Sequence, residues 1–203
     1  MVFMAIAALV CGVLARYFFP DLALLNTVTD MSGMVLYMLM FLVGISVGMN
    51  KDIVSKIKSY GFKIFLIPIG VMAGSFAGGI VCALLTSLKI NEGAAIASGM
   101  GWYSLSGVML GEMAGADMGS IAFLSNLLRE IMSFALIPII AKRLNGLTCI
   151  APAGATSEDT TLPMMIRYTD EPTVVLSLMN GILCSAAVPF MIEFCYKILP
   201  NIL

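Results

Sequence analysis

Long apolar runs separated by short polar stretches make up most of this chain. A helix that crosses a bilayer needs about 20 predominantly apolar residues, and five runs approach that length. The five predicted spans lie near residues 2–19, 31–49, 64–88, 119–141 and 172–199. The pattern therefore predicts an all-α integral membrane protein with about five transmembrane helices, in which residues 1–203 form a single transmembrane domain.

Two further segments interrupt this pattern. Residues 93–107 are too rich in small residues for a lipid-facing helix and too apolar for a water-facing loop, and residues 149–163 are a second insertion of small and polar residues. Non-helical backbone at membrane depth has to be buried in protein or line a cavity, and paired interruptions are common in secondary transporters. We predict two re-entrant or discontinuous helical elements; the alternative is that both segments are loops packed at the interface.

The composition supports this class and excludes others. Apolar residues make up 60% of the 203 positions and charged residues 11%, whereas a soluble domain carries about 25% charged residues. So few charges cannot cover a water-facing surface, which excludes a soluble globular protein. The 11 Lys and Arg residues against 12 Asp and Glu residues also exclude a strongly basic nucleic-acid-binding protein.

The residue types that most catalytic and metal sites need are missing or scattered. The chain has no histidine, which removes the commonest general base and the commonest transition-metal ligand. Its five cysteines form no CxxC pair, and it has no Walker A loop for ATP hydrolysis. We expect a transport or channel role rather than an enzyme, with no cofactor and no metal site other than one for a transported Na⁺.

The distribution of Lys and Arg predicts an orientation. Four lysines lie in residues 50–63, and a Lys-Arg pair follows the fourth predicted span at residues 142–143. Cytoplasmic loops are enriched in these residues. This places both segments and the N-terminus in the cytoplasm, and the C-terminus outside.

The fourth predicted span contains three polar residues, Asn126, Arg129 and Glu130, in an otherwise apolar run. An ionisable side chain at the centre of a spanning helix costs about 2.5–3.5 kcal/mol. Asn126 and Glu130 are four residues apart and share a helix face, while Arg129 points about 100° away. We predict a cation or proton site at Glu130 with Asn126 beside it, and an ion-pair or anion-anchoring role for Arg129. The alternative is an Arg129–Glu130 pair that only holds two helices together.

The second insertion carries a set of short polar side chains, Thr156, Ser157, Asp159 and Thr160, between Gly154 and Pro163. Hydroxyl groups, carboxylates and exposed carbonyls can coordinate Na⁺ or an ammonium group. We therefore predict substrate or ion binding here, with Gly154 and Pro163 shaping the backbone. In the alternative, this is a water-exposed loop in which Ser157 or Asp159 caps a helix.

The first insertion combines four candidate binding residues, Trp102, Tyr103, Ser104 and Ser106, with Gly99, Gly101 and Gly107. Glycine permits a close approach of backbone and a positive φ. Trp102 and Tyr103 can form a gate or contact an ammonium group through their rings. Equally, they can anchor the protein at the membrane interface.

Four motifs resemble one known family. They are GMGWYSLSG at 99–107, LLRE at 127–130, GATSEDTTLP at 154–163 and FLVGIS at 41–46. The first three, in this order along the chain, resemble the bacterial lysine exporter family of the LysO type, and FLVGIS resembles it as well. The resemblance covers essentially the whole chain.

The resemblance implies a multi-pass protein of the bacterial inner membrane that exports L-lysine and close cationic analogues by antiport with H⁺ or Na⁺. Backbone N–H groups in 93–107 and 154–161 would then hold the substrate carboxylate, and Glu130 and Asp159 the ammonium groups. Full-length members of the family carry additional N-terminal spans. The resemblance thus also implies a short membrane partner that supplies them, or a homodimer.

Two alternatives remain open at this point. One is a Na⁺-coupled carrier of an organic anion in which Arg129 anchors the substrate. The other is a membrane scaffold subunit that transports nothing. Charge-neutral substitution at Glu130 and at Arg129 separates the three, because each assigns a different charge to the site.

Overall fold

A computed structural model describes residues 2–19 and 63–201, together with a few isolated positions between 27 and 45. All regular structure in the two continuous ranges is helical, which confirms the predicted all-α class for this part of the chain. Its α-helices are α1 (Val2–Phe18), α2 (Lys63–Leu85), α3 (Ile90–Ala97), α4 (Tyr103–Ala114), α5 (Ala116–Arg143), α6 (Ile150–Ala153), α7 (Leu162–Tyr168) and α8 (Glu171–Glu193).

Short turns of other helix types complete the path. A 3₁₀ turn, Leu147–Cys149, leads into α6, and a second, Gly154–Glu158, follows it. Helix α8 runs directly into a π-helical turn, Phe194–Ile198, and ends in a 3₁₀ turn, Leu199–Asn201. The chain after α5 is therefore helical almost throughout, but it changes helix type several times.

Within the described ranges, three helical stretches are long and apolar enough to cross a membrane. They are Ile64–Leu85, Ala116–Arg143 and Glu171–Ile198, and they coincide with three of the five predicted spans. Helix α1 occupies the first predicted span and has 17 residues, the lower end of the spanning range. The predicted span at 31–49 and the motif at 41–46 fall where only isolated residues are described.

Helices α4 and α5 pack against each other through glycines. A Cβ added to Gly119 would lie 2.7 Å from both the carbonyl oxygen of Gly107 and the Cα of Gly111. The ring of Tyr103 contacts that of Phe123 edge-on, with centroids 5.2 Å apart. Small residues let helix backbones approach closely in a membrane protein. Gly107 is therefore inside α4, where it allows α4 to pack closely against α5. It lies outside the break that precedes α4.

The first interruption is confined to residues 98–102, because α3 and α4 cover the rest of 93–107. The backbone turns at Met100 and Gly101, whose φ angles are 49° and 97°. A positive φ strains a residue with a side chain. The surrounding packing holds Met100 in this conformation, with its side chain fully buried.

The second interruption is buried between the long helices. Gly154, Ala155, Thr156 and Ser157 are all buried, as is Thr161, while Asp159 is exposed. Helix α8 packs along this segment. The alternative of a water-exposed loop is therefore wrong for most of it, because the hydroxyl groups of Thr156, Ser157 and Thr161 find their partners inside the protein.

Candidate functional site

A polar stripe on α5 faces the interior. Asn126, Glu130 and Ser133 are all buried, as their spacing along one helix face predicts. The neighbouring residues Leu124 and Leu128 are exposed. The helix therefore turns its polar face toward protein and its apolar face outward, which is the arrangement that a helix in lipid requires.

Asn126 closes the first interruption. Its Nδ2 donates to the carbonyl oxygens of Ile96 (2.9 Å) and Ala122 (3.0 Å), and its Oδ1 accepts from the N–H of Gly101 (2.8 Å). A Cβ at Gly99 would lie 2.6 Å from this Nδ2. Both amide hydrogens and the amide oxygen are therefore occupied. Asn126 braces the broken helix and has little capacity left for a ligand.

The backbone amides of this interruption are occupied as well. The N–H groups of residues 98–103 each donate to an acceptor within the protein. The expectation that backbone N–H groups in 93–107 hold a substrate carboxylate is therefore wrong at these six residues. The turn satisfies its own donors, which a buried backbone requires, and the sequence pattern could not reveal this.

The two interruptions meet. The N–H of Ala155 donates to the carbonyl oxygen of Met100 at 2.9 Å. Gly154 has a φ of 59°, and a Cβ there would lie 2.4 Å from that same oxygen. The γ-methyl of Thr156 would lie 3.3 Å from a Cβ at Gly101. The two motifs, more than 50 residues apart in sequence, thus form one joined unit.

Helix α8 holds the second interruption through hydrogen bonds. The Ser157 hydroxyl donates to carbonyl oxygens of Gly154 and Ser177, both at 2.8 Å, and the Ser177 hydroxyl donates to the Ser157 carbonyl at 2.9 Å. Asn180 Nδ2 donates to the Gly154 carbonyl (2.9 Å) and the Ser157 hydroxyl (3.0 Å). Ser157 is therefore a link to α8 and does not cap a helix.

The hydroxyl groups on either side of Ser157 also have partners within the segment. Thr156 Oγ1 donates to the carbonyl of Ala153 at 2.8 Å, and Thr161 Oγ1 donates to that of Thr156 at 2.9 Å. Oδ1 of Asp159 accepts from the N–H of Thr160. Pro163 is in the first turn of α7, where proline costs no hydrogen bond.

Glu130 has a different environment from these residues. Its side chain is 0% exposed, and neither carboxylate oxygen makes a hydrogen bond of good geometry in the part of the chain that the structure describes. The Thr160 hydroxyl, which is also buried there without such a bond, is the polar group beside this carboxylate. A buried carboxylate with no partner is costly. Such groups mark functional sites more often than structural ones.

Tyr103 connects this carboxylate to the first interruption. Burial, followed by the electrostatic effect of the nearby Glu130 and Asp159 carboxylates, raises the pKa of the Tyr103 phenol. Two acidic groups and a phenol, one from each of three segments, therefore act on the same region. We call Tyr103, Glu130, Asp159 and Thr160 the acidic cluster.

Arg129 points away from Glu130. Its guanidinium donates to the carbonyl oxygens of Pro152 (Nε, 3.2 Å) and Ala151 (Nη2, 3.2 Å) and to the Ser75 hydroxyl (Nη1, 2.8 Å). Among the described residues, the one salt bridge is between Lys197 and Glu193. Arg129 therefore braces α6 and α2 rather than pairing with its neighbour.

The remaining predicted residues of the first insertion lie at the start of α4. Trp102 precedes the helix and packs partly buried against the main core. The Ser106 hydroxyl is buried and donates to the Trp102 carbonyl at 2.9 Å, and Ser104 is half-buried. Ser106 is occupied within the helix, while Trp102 and Ser104 keep part of their surface accessible.

Sequence reasoning missed the polar residues that complete these links, Ser75, Ser177, Asn180 and Ser185. Oε1 of Glu158 accepts from the Ser185 hydroxyl at 2.7 Å. Asn180 is in a long apolar run, and the criterion that singled out Asn126 would have found it. The serines carry no such signal. In the described ranges, no group of three or more His, Cys, Asp or Glu side chains can hold a metal ion.

Comparison with known proteins places this arrangement in a family. Residues 6–196 match the family described as Lysine exporter LysO. The chain is 36% identical to "Lysine exporter LysO" of Escherichia coli strain K12 over 187 residues, which is 91% of this chain and 62% of that relative. The chain thus spans less than two thirds of that relative's length.

A second relative, from Haemophilus influenzae, carries a provisional lysine exporter name. It is 35% identical over 166 residues, which is 79% of this chain and 81% of the relative. No solved structure matches the chain significantly. The family match covers both interruptions and all of the acidic cluster. On this evidence the chain belongs to the lysine exporter LysO family.

Proposed function

We propose that this chain exports L-lysine and close cationic analogues from the bacterial cytoplasm, and that Glu130 is the residue that binds the transported cation. The observation that carries the proposal is the buried carboxylate of Glu130 without a partner. A lysine ammonium group supplies both the charge and the hydrogen-bond donors that this carboxylate lacks. The family of the chain and the names of its relatives support lysine as the substrate.

The energetics favour coupling to an entering ion. Moving one positive charge out against a negative-inside potential costs about 2.3 kcal/mol per 100 mV. Antiport with H⁺ or Na⁺ offsets this cost. In the proposed cycle, Glu130 gives up its proton or Na⁺ when lysine binds and regains it when lysine leaves, so the carboxylate is never buried as an isolated charge.

Asp159, Thr160 and Tyr103 supply the second part of the proposed cation site. Asp159 is exposed and influences Tyr103 together with Glu130. We assign to Asp159 a second contact with the side-chain ammonium group that Glu130 binds, and to Tyr103 and Thr160 the hydrogen bonds that orient this group.

Location and partners complete the proposal. The family and the apolar helices fit a multi-pass protein of the inner membrane. A cytoplasmic N-terminus, an external C-terminus and assembly with a short membrane partner or as a homodimer stay predictions. The match to 62% of the Escherichia coli relative makes expression both alone and with a neighbouring membrane gene the appropriate design.

The test is efflux of preloaded labelled lysine from cells that lack other lysine exporters. Cells that express the chain, alone or with the partner gene, should lose label faster than cells with an empty vector. Parallel loading with a labelled organic anion examines the competing carrier hypothesis. Anion efflux without lysine efflux would establish that alternative, and no efflux of either would favour a scaffold subunit.

A further inference from the structure

A groove runs along α2 beside the guanidinium of Arg129. Its volume is about 480 Å³, which is within the range of small-molecule sites. Gly74 and Gly78 of α2 form part of one wall, and Ser75 and Arg129 contribute polar groups. A Cβ added at Gly74 or Gly78 would meet nothing within 4 Å. The groove is therefore open space next to a cation.

Arg129 keeps two N–H groups for a ligand. A guanidinium has five N–H donors, and three of them, one each on Nε, Nη1 and Nη2, donate to Pro152, Ser75 and Ala151. One N–H thus remains on each terminal nitrogen. A guanidinium with a donor on each terminal nitrogen can bind the two oxygens of a carboxylate.

The charge of Arg129 also lacks a counter-charge. No salt bridge joins it to an acid within the described part of the chain, and its three acceptors are carbonyl and hydroxyl oxygens without net charge. Arg129 is near the middle of α5 (Ala116–Arg143), where an unpaired cation is costly in lipid. An anionic ligand in the groove would supply the missing charge.

We propose that this groove binds the α-carboxylate of the exported amino acid through Arg129, with the Ser75 hydroxyl beside it. The inference rests on the proposed function and deepens it, since it gives the carboxylate end of the substrate and its side-chain ammonium group separate sites. Glu130 does not line the groove, so the groove holds the carboxylate end, with the α-ammonium on the same carbon, and Glu130 is left to the side-chain ammonium. In this role Arg129 replaces the backbone N–H groups of residues 98–103, because each of those groups already donates a hydrogen bond within the protein.

A lipid phosphate is the competing source of an anion. Phosphates lie at the surface of a hydrocarbon core about 30 Å thick. Arg129 is the fourteenth of the 28 residues of α5, so at 1.5 Å per residue it is about 20 Å from either end of the helix. This depth favours a carboxylate that enters with a small substrate.

The test compares lysine with 1,5-diaminopentane, which is lysine without its carboxylate. The full chain, with its partner if transport requires one, is reconstituted in liposomes, and each compound competes with labelled lysine for exchange. Wild-type protein should prefer lysine by at least about tenfold, because a charge-assisted contact of this kind is lost in the diamine. In Arg129→Gln that preference should fall to within about twofold, with inhibition by the diamine unchanged.

A second variant separates ligand binding from bracing, because Arg129 also holds Ala151 and Pro152. Gly74→Val fills the groove from the opposite wall without removing any of these hydrogen bonds, and it should reduce the preference for lysine in the same way. Gly12→Val is the matched control. Its Cβ also meets nothing within 4 Å, but Gly12 is on α1 and does not line the groove. The preference of this variant for lysine should equal that of the wild type.

Each outcome bears on the proposal. A preference for lysine that survives both Arg129→Gln and Gly74→Val would overturn the carboxylate site while leaving the lysine exporter intact. An equal loss for lysine and the diamine in both variants would also overturn it. If the preference of the variants for lysine changes with the fraction of anionic lipid in the liposomes, the groove binds a lipid phosphate and the carboxylate site is rejected. Absence of lysine exchange by the wild type, with and without the partner, would reject the proposed function itself.

Discussion

The N–H of Ala155 donates a hydrogen bond of 2.9 Å to the carbonyl oxygen of Met100, and this contact joins the two interrupted segments of the chain. Met100 adopts a positive φ and is fully buried, so its carbonyl is fixed in direction. Asn126, Ser157 and Asn180 hold the segments on either side of the contact. Hydrogen bonds cross the centre of this unit from several segments, and the acidic cluster adjoins it.

Gly154→Ala should destabilise the protein by more than about 1 kcal/mol, because alanine is strained at a positive φ. A Cβ at this position would also lie 2.4 Å from the Met100 carbonyl oxygen, which would force the two interruptions apart. Thermal unfolding of the purified protein in detergent measures the effect. Gly12→Ala is the control, since nothing surrounds its Cβ, and equal stability of the two variants would contradict the role given to Gly154.

Asn126→Ala should cost about 1–3 kcal/mol of stability, because it leaves the buried Gly101 N–H without its acceptor. Asn145→Ala is the comparison. That side chain accepts hydrogen bonds from Thr148 but is exposed, so water can replace it. Thermal unfolding in detergent again measures the effect. Equal stability of Asn126→Ala and Asn145→Ala would show that the Asn126 amide does not stabilise the first interruption.

Ser157→Ala should loosen the second interruption from α8 at a cost of about 1 kcal/mol. It removes the donor to the Ser177 carbonyl and the acceptor of the Asn180 amide. Ser120→Ala is the matched control, since that exposed hydroxyl only bonds to its own helix at Ala116. Proteolysis or hydrogen exchange across residues 154–161 reports the change, and no difference from Ser120→Ala would argue against the link.

The start of α8 should weaken in acid. The Thr173 N–H donates to Asp170 Oδ1 at 3.2 Å, and this hydrogen bonding lowers the pKa of the Asp170 carboxyl. A carboxyl whose pKa is lower in the folded state adds stability above its unfolded pKa of about 3.9 and loses it as the pH falls through the folded value.

Replacing the cap tests this pH dependence. Wild-type protein should lose more stability than Asp170→Asn as the pH falls below about 4, because asparagine can still cap the helix but does not titrate. Thermal unfolding at several pH values gives the comparison. Parallel curves for the two proteins would mean that Asp170 does not contribute.

The sequence pattern predicts the helical class, the limits of α2 and α5 and the start of α8 to within a few residues, and the inward face of α5. These follow from apolar length and from a spacing of four residues, which are local properties. The partners of Asn126 could not be predicted, because they are backbone groups up to 30 residues away. Ser157 has the residue type of a helix cap, and only packing against α8 reveals its actual bonds.

The sequence does not predict the different surroundings of the neighbouring residues Arg129 and Glu130. Arg129 and Glu130 are both polar residues in an apolar helix, and a pair between them is a reasonable expectation. The structure directs the guanidinium toward the carbonyls of Ala151 and Pro152 and leaves the carboxylate without a partner. The 3.6-residue helical period directs the two side chains to different faces of α5. Which segment packs on each face is a tertiary property, and the sequence pattern does not reveal it.

The most direct measurement for the central claim is lysine efflux by Glu130→Gln in cells without other lysine exporters. Glutamine keeps the size of the side chain but cannot carry the charge or exchange a proton. We expect export to fall to the level of the empty vector, while Glu193→Gln, which removes an exposed carboxylate paired with Lys197, keeps wild-type export. Normal export by a Glu130→Gln protein present at the wild-type level in the membrane would contradict the account.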